Sequence, residues 1–204
     1  MSSTQFPKLF IPAAPYPCRM IITISGIAGS GKSTVAVELA KALGLKHYSI
    51  GSLMREMAKE KGMSLLELGK LAEKDPVIDK ALDEKQIELG REKDNFVIDS
   101  RLGWFFIPNS IKIFFSISMK EAARRVYRDT IKNLRRDERE NTSVKQTLAN
   151  MKKRQVSETK RYKQLYGVNY LDKKNFDIVV NSTRTTKKEK FEKTVKAIEK
   201  IKGF

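Results

Sequence analysis

One short stretch near the start of the chain, residues 26–34, constrains the fold more than any other. It reads Gly-Ile-Ala-Gly-Ser-Gly-Lys-Ser-Thr and so matches the pattern Gly-x-x-x-x-Gly-Lys-Ser. Residues 20–25 before it are largely β-branched and apolar, and residues 35–43 after it carry apolar side chains at helical spacing and end at Gly44. A strand, a glycine-rich loop and a helix in this order predict a phosphate-binding loop at the carboxyl end of a parallel strand.

Each residue type in this loop has a physical reason to be there. Glycines let the backbone approach phosphate oxygens closely, and successive N–H groups at a helix start form a site for an anion. Lys32 is expected to reach the β- and γ-phosphates of a nucleotide, and the Ser33 hydroxyl to ligate Mg²⁺. The predicted ATP-binding residues are Gly26, Ile27, Ala28, Gly29, Ser30, Gly31, Lys32, Ser33 and Thr34, together with Arg128. The alternative is a chance glycine-rich turn before a helix.

Strand-like and helix-like segments alternate along the rest of the chain. Further strands are expected at residues 46–50, 96–99, 111–117 and 176–180. Three helices are expected between residues 51 and 92, followed by helices at about 121–139, 143–166 and 187–201. The alternation predicts an α/β fold, with a parallel five-stranded sheet flanked by helices and a helical insertion beside the phosphate loop.

Local patterns mark several of these helices. Ser64 with Glu67 forms a capping-box pattern at the start of one helix, and Asn141–Ser143 predicts a break before another. The carboxyl-terminal helix is expected to bury Phe191, Val195, Ile198 and Ile201 along one face.

An acidic residue and two arginines are expected at the same edge of the sheet as the loop. Asp99 ends an apolar strand, where its carboxylate can hold Mg²⁺ through water molecules; a strand that ends in Asp is also common in ordinary turns. Arg55 follows the second strand and Arg101 follows Asp99. A guanidinium group suits a phosphate bidentately, so both are candidates for a second phosphate, with a solvated surface position as the alternative.

Two further arginines lie in the helix after Asn141. Arg154 and Arg161 are seven residues apart, which is two helical turns, so they share a face. They are candidates for clamping the phosphates and neutralising charge in a transition state. The alternative is a charged, solvated helix face.

Composition limits the possible classes of protein. The net charge is +17, and it is uneven: residues 1–111 carry 15 basic and 13 acidic side chains, whereas residues 112–204 carry 26 and 11. This balance fits either nucleic acid or small polyphosphates as ligands. The one cysteine, Cys18, and the one histidine, His47, argue against a disulfide framework, a zinc site or a Cys/His nucleophile.

The first 19 residues differ in composition from the rest of the chain. Four of the six prolines lie there, so we expect residues 1–19 to form a flexible extension and residues 20–204 to form a single domain. No run of 18 apolar residues occurs in the chain, so no membrane span is expected. The cysteine content fits a reducing compartment, which favours a cytoplasmic location.

The order of these features resembles the cytidylate kinases, most closely their archaeal-type branch. The matching features are the phosphate loop, Gly51-x-x-x-Arg55, the stretch Val-Ile-Asp-Ser-Arg-Leu-Gly-Trp at 97–104, and Arg154 through Arg-Tyr-Lys-x-x-Tyr-Gly at 161–167. The resemblance covers about residues 20–201. It implies a P-loop NTPase fold with a monophosphate-binding region at about residues 50–92 and a lid at about residues 128–155.

The resemblance also implies an activity and a set of site residues. The activity is transfer of the γ-phosphoryl group of ATP to CMP or dCMP, with ATP and Mg²⁺ required. The implied catalytic residues are Lys32, Arg154 and Arg161; the implied acceptor-binding residues are Arg55, Arg101, Ser49, Gly51 and Gly103; the implied metal ligands are Ser33 and Asp99.

Several alternatives remain open at this point. A kinase of the same fold can use AMP, UMP or another small molecule as acceptor. The basic second half is also compatible with a P-loop ATPase that binds nucleic acid or a ribosome, although small-molecule nucleotides are the favoured partners. A GTPase is disfavoured because no Asn-Lys-x-Asp sequence occurs in the chain. We expect a monomer.

Overall fold

The computed structural model describes residues 20–202, except residues 133, 135–137 and 139. The expected amino-terminal extension, residues 1–19, therefore lies outside the described residues.

The strands form one parallel five-stranded sheet, as predicted. They are β1 (Ile21–Ser25), β2 (Lys46–Ser49), β3 (Phe96–Asp99), β4 (Ile111–Ser116) and β5 (Ile178–Asn181), in the spatial order β2-β3-β1-β4-β5. All adjacent pairs are parallel. In this register Asp99 lies beside Ile24 on one side and Ser49 on the other. The carboxyl ends of three strands thus meet at the edge where the phosphate loop begins.

Helices connect the strands and cover both faces of the sheet. They are α1 (Lys32–Leu43), α2 (Ile50–Glu60), α3 (Leu65–Ala72), α4 (Val77–Glu92), α5 (Gly103–Phe106), α6 (Met119–Ile131), α7 (Val144–Tyr166) and α8 (Lys187–Lys202), with a short 3-10 turn at Lys173–Asn175. The helices α2, α3 and α4 form the predicted insertion between β2 and β3. The short helix α5 was not predicted.

The core lies on both faces of the sheet because successive strand residues point in opposite directions. On one face, Ile22 and Ile24 of β1 belong to a cluster with residues of α1 and α8. On the other face, Ile21 belongs to a cluster with residues of α2 and α4. Three of the four predicted apolar residues of α8, Phe191, Val195 and Ile198, are buried, whereas Ile201 is exposed.

Local capping patterns predicted the helix ends well in two places. Ser64 and Glu67 form the reciprocal capping box at the start of α3. The side chain of Ser143 accepts a hydrogen bond at the start of α7, and Gly167 ends that helix in a left-handed conformation. Both ends agree with the sequence prediction.

The prediction of one helix from about residue 121 to 139 was wrong in its length. Helix α6 ends at Ile131, and the Leu134 amide donates to the Asp129 carbonyl just beyond it. Ala122 and Val126 form a buried apolar stripe on α6, whereas Ile131 and Leu134 are exposed. The stripe therefore has no surface to pack against beyond Ile131. Without burial, helical propensity alone does not extend the helix. None of the described helices has the length and apolar character needed to cross a bilayer.

Candidate active site

The phosphate loop joins β1 to α1 with a backbone that requires glycine at three positions. Gly26, Gly29 and Gly31 have φ angles of 142°, 78° and 84°, in a region that side chains rarely adopt. A Cβ atom on Gly29 would lie 2.6 Å from the Ala122 carbonyl oxygen. The loop therefore packs directly on α6, and Ile27 and Ala28 lie against the apolar cluster of that helix.

A cleft of about 660 Å³ opens beside the loop. The loop contributes Gly29, Gly31, Lys32, Ser33 and Thr34; the other charged residues of its wall are Glu121, Arg125, Arg128, Asp129 and Lys132 near α6, and Lys187 and Lys190 on α8. Six of these wall residues are basic and two are acidic. The positive balance and the start of α1 favour a polyanion, so we call this space the donor cleft. Arg128 lies in the wall of this cleft, and its role in binding ATP stays a prediction.

Lys32 and Asp99 are brought together across the sheet edge. The Nζ atom of Lys32 lies 3.2 Å from Oδ1 of Asp99, and the side chains are 13% and 3% exposed. Ser33, one residue further along α1, is exposed to the donor cleft. A hydroxyl and a carboxylate are the oxygen donors that Mg²⁺ uses in nucleotide sites, together with phosphate oxygens and water. Ser33 and Asp99 are therefore of the chemical type that suits Mg²⁺. No group of three or more His, Cys, Asp or Glu suited to a metal occurs among the described residues.

A second, narrower pocket lies on the other side of Lys32. Its volume is about 40 Å³, and we call it the acceptor pocket because it holds Arg101, a residue predicted to bind the acceptor. Its polar lining consists of Lys32, Asp79, Asp83, Gln86, Asp99, Ser100, Arg101, Arg154, Glu158 and Tyr162. Lys32 therefore lines both the donor cleft and the acceptor pocket.

Glu158 organises the arginines of the acceptor pocket, and the sequence interpretation missed it. One carboxylate oxygen accepts hydrogen bonds from Arg101 Nε at 2.5 Å and from the Tyr170 hydroxyl at 3.0 Å. The other accepts from Arg154 Nε at 2.9 Å. Burial raises the pKa of Glu158, but the charges of Arg101 and Arg154 outweigh burial and lower the pKa to about 2. The i, i+4 spacing from Arg154 was the available sequence signal.

Arg161 occupies a different position from the other predicted arginines. It is 4% exposed, and its Nε donates to Asp79 Oδ2 at 2.7 Å. Its Nη1 donates to the Gly69 carbonyl and to Ser157 Oγ. These contacts join α7 to α3 and α4. They hold Arg161 against the helical insertion, and its predicted catalytic role stays a prediction.

Two side chains of α4, those of Asp83 and Gln86, also line the acceptor pocket. Asp83 accepts a hydrogen bond from the Tyr166 hydroxyl and another from Gln86 Nε2. Gln86 in turn accepts one from Ser100 Oγ. Burial raises the pKa of Asp83 to about 7, despite the opposing effect of the Tyr166 hydrogen bond. Asp83 and Gln86 were not singled out from the sequence, because Tyr166 and Ser100, which they contact, lie on other elements.

The remaining predicted acceptor residues lie around the start of α2 and in α5. Gly51 lines the acceptor pocket, whereas Arg55, Ser49 and Gly103 are not among its lining residues. Arg55 Nη2 donates to Ser52 Oγ at 2.9 Å, and Ser49 Oγ caps α2 by accepting from the Ser52 amide. A Cβ atom on Gly103 would lie 3.3 Å from the side chains of Ser100 and Thr23, so this glycine allows close packing.

The parallel sheet, the glycine loop with its lysine, the acid on the neighbouring strand and the arginine-lined second pocket together define a P-loop kinase. Solved structures support the fold. A shikimate kinase from Bacteroides thetaiotaomicron aligns with a TM-score of 0.63 at 12% identity over 92% of this chain and 100% of its own. A second shikimate kinase, from Aquifex aeolicus, aligns with a TM-score of 0.53 at 21% identity over 90% and 98%.

Sequence relatives identify the branch within this class. The chain belongs to the cytidylate kinase-like family, whose model matches residues 21–184. A protein named cytidylate kinase from Pyrococcus horikoshii is 38% identical over 81% of each chain. One from Methanococcus aeolicus is 39% identical over 80% of this chain and 89% of its own. One from Methanocella arvoryzae is 35% identical over 90% and 99%.

Proposed function

We propose that this protein transfers the γ-phosphoryl group of ATP to CMP or dCMP, giving ADP and CDP or dCDP. The observation that carries the proposal is the position of Lys32, which lines the donor cleft on one side and the acceptor pocket on the other. A donor and an acceptor that meet at one ammonium group are placed for direct phosphoryl transfer. The names of the relatives supply the choice of cytidylate as acceptor.

The proposed chemistry depends on position and charge. The loop amides and Lys32 hold the β- and γ-phosphates, and the guanidinium groups of Arg101 and Arg154 face the transferred group from the acceptor side. A phosphate oxygen of the acceptor is already a nucleophile, so the chain needs no general base. Ser33 and Asp99 would hold Mg²⁺, which neutralises phosphate charge when it is bound.

The proposal also assigns a role to the helical insertion between β2 and β3. The region at about 50–92 is proposed to bind the monophosphate, because α2 and α4 contribute Gly51, Asp83 and Gln86 to the acceptor pocket.

Arg55 and Arg161 are proposed to contact phosphate when the nucleotides are bound. The lid at about 128–155 is proposed from the family resemblance, and part of it lies outside the described residues. A cytoplasmic monomer with nucleotides as its partners completes the proposal.

A panel of acceptors tests this function. The protein is incubated with ATP and Mg²⁺ together with CMP, dCMP, UMP or AMP, and ADP release is followed, with a reaction lacking any acceptor as the control. We expect kcat/KM for CMP or dCMP to exceed the value for AMP at least about tenfold. Equal rates with and without an acceptor would contradict the proposal, and a higher rate with AMP or UMP would reassign the acceptor.

A further inference from the structure

A lysine of the carboxyl-terminal helix reaches the phosphate loop. Lys190 lies near the start of α8 and is 4% exposed. Its Nζ atom occupies the space beside Gly31, where a Cβ atom on that glycine would lie only 2.3 Å away. The residue also lines the donor cleft. The carboxyl-terminal helix therefore places an ammonium group beside the loop that is proposed to bind the donor.

The surroundings of Lys190 are cationic. The charges of Arg125 on α6 and Lys187 on α8 both act on its ammonium group. Burial lowers the pKa of Lys190 to about 8, and these two cations act in the same direction. Within the described part of the chain no carboxylate lies within 4.0 Å of its Nζ atom.

Glu121, one of the two acids of the same cleft, is engaged by another cation. Glu121 is paired with Arg125, whose Nε donates to its Oε1 at 2.9 Å. Arg125 also donates to the carbonyl oxygens of Ser182 and Thr183. A largely buried lysine that borders the cleft among other cations favours an anionic ligand there. The phosphates of a nucleotide in the donor cleft are such an anion.

Lys190 lies outside the segment that carries the motifs of the phosphate loop and the arginines. The family model matches residues 21–184, and Lys190 lies beyond that segment. Its neighbour Phe191 and the later residues Val195 and Ile198 are the buried apolar positions of α8. Lys190 thus adds a cation to the site from a part of the chain whose other buried residues serve packing.

We infer that Lys190 is a phosphate-binding residue for the donor nucleotide, acting beside Lys32 in the donor cleft. The inference rests on the proposed function and deepens it by adding a donor-binding residue to the same site. A charge contact of this kind acts on bound donor before and during transfer alike, so it contributes chiefly to affinity for the polyphosphate and less to kcat.

Equilibrium binding without any acceptor tests the inference independently of cytidylate kinase activity. ADP, inorganic tripolyphosphate and adenosine are titrated separately into the wild-type protein and into Lys190→Met, Lys190→Arg and Lys196→Met. Lys196 is exposed on the same helix and serves as the control. We expect Lys190→Met to weaken ADP and tripolyphosphate binding about tenfold or more and to leave adenosine binding unchanged. The affinities of Lys190→Arg and Lys196→Met for all three ligands should stay close to those of the wild type.

The outcomes separate a phosphate contact from a packing role. Unchanged affinity of Lys190→Met for ADP and tripolyphosphate would overturn the inference. Equal losses for adenosine and tripolyphosphate would also overturn it, since they indicate a general disturbance of the cleft. If Lys190→Met does not fold, Lys190→Gln is titrated in its place with the same expectations. Loss of CMP phosphorylation with ADP binding intact concerns the proposed function and leaves the role of Lys190 standing.

Discussion

The carboxylate of Glu158 lies 2.5 Å from Nε of Arg101, and the Arg101 and Glu158 side chains are 14% and 4% exposed. The same carboxylate holds Arg154 at 2.9 Å through its other oxygen. Two guanidinium groups that face the acceptor pocket are therefore fixed by one buried anion. This relationship makes Glu158 a positioning residue for the proposed transfer rather than a group that touches the reacting atoms.

Replacing Glu158 with Gln should disturb both stability and activity. The substitution leaves Arg101 and Arg154, which are largely but not fully buried, with a neutral partner, and we expect the free energy of unfolding to fall by about 3 kcal/mol. Where the protein stays folded, kcat for ADP formation should fall at least about tenfold, because neither arginine keeps its alignment. Urea unfolding and a steady-state assay with ATP and CMP measure the two effects.

A matched control for this change lies on the surface of α4. Glu88 pairs with Lys85, but both side chains are nearly half exposed. Glu88→Gln should change the free energy of unfolding by less than about 0.5 kcal/mol and leave kcat unaltered. Similar losses of stability and turnover in the two variants would argue against a special role for Glu158.

The buried carboxyl of Asp83 should make stability depend on pH. Its pKa is about 7 in the folded protein, chiefly because of burial, against an ordinary value of 3.8. Between these values the folded state keeps a proton that the unfolded state has released, so the free energy of unfolding falls as the pH rises from 5 towards 7.5. The loss should be roughly 2 kcal/mol larger in the wild type than in Asp83→Asn.

Comparison with variants isolates this effect from other titrating groups. Glu158 has its lowered pKa near 2, so it stays ionised throughout this range. Burial lowers the pKa of His47, so its titration makes the free energy of unfolding rise with pH. This contribution is the same in the wild type and in both variants. The exposed neighbour change Glu84→Gln is the control and should keep the wild-type slope. A parallel pH profile for wild type and Asp83→Asn would contradict the assignment.

Sequence patterns predicted the features that depend on nearby residues. The phosphate loop, the capping box of Ser64 and Glu67, and the two ends of α7 each rest on contacts within a few residues. The five-stranded parallel sheet followed from alternation of strands and helices. These features have local causes, so one sequence suffices to find them.

Contacts between distant segments were beyond the reach of the same patterns. The ion pair of Arg161 with Asp79 joins residues 82 positions apart, and Lys190 meets the loop from the other end of the chain. Helix α6 stopped early because its apolar stripe had no surface to cover after Ile131. In each case tertiary packing decides the outcome, and neither spacing nor propensity reports on it.

Close approach of the loop to α6 should make Gly29 intolerant of a side chain. In Gly29→Ala the new methyl group would meet the Ala122 carbonyl at 2.6 Å while the backbone keeps a φ of 78°. We expect the free energy of unfolding to fall by about 2 kcal/mol or more and ADP affinity to fall with it. Thermal unfolding and titration with ADP measure both quantities.

The control for this substitution is a glycine with free space around it. Gly69 lies in α3, and a Cβ atom there would meet nothing within 4 Å. Gly69→Ala should keep or raise stability by up to about 1 kcal/mol. Equal tolerance of alanine at the two positions would show that the loop does not pack on α6 as described.

The role proposed for Lys32 is to join the donor cleft to the acceptor pocket during phosphoryl transfer. The direct measurement is the rate of ADP formation from ATP, Mg²⁺ and CMP by the wild type, by Lys32→Ala and by Lys41→Ala, an exposed lysine of the same helix. We expect Lys32→Ala to lower turnover at least about a hundredfold. Lys41→Ala should keep the wild-type turnover, and all three proteins should be folded. Turnover by Lys32→Ala close to the wild-type rate would contradict the account.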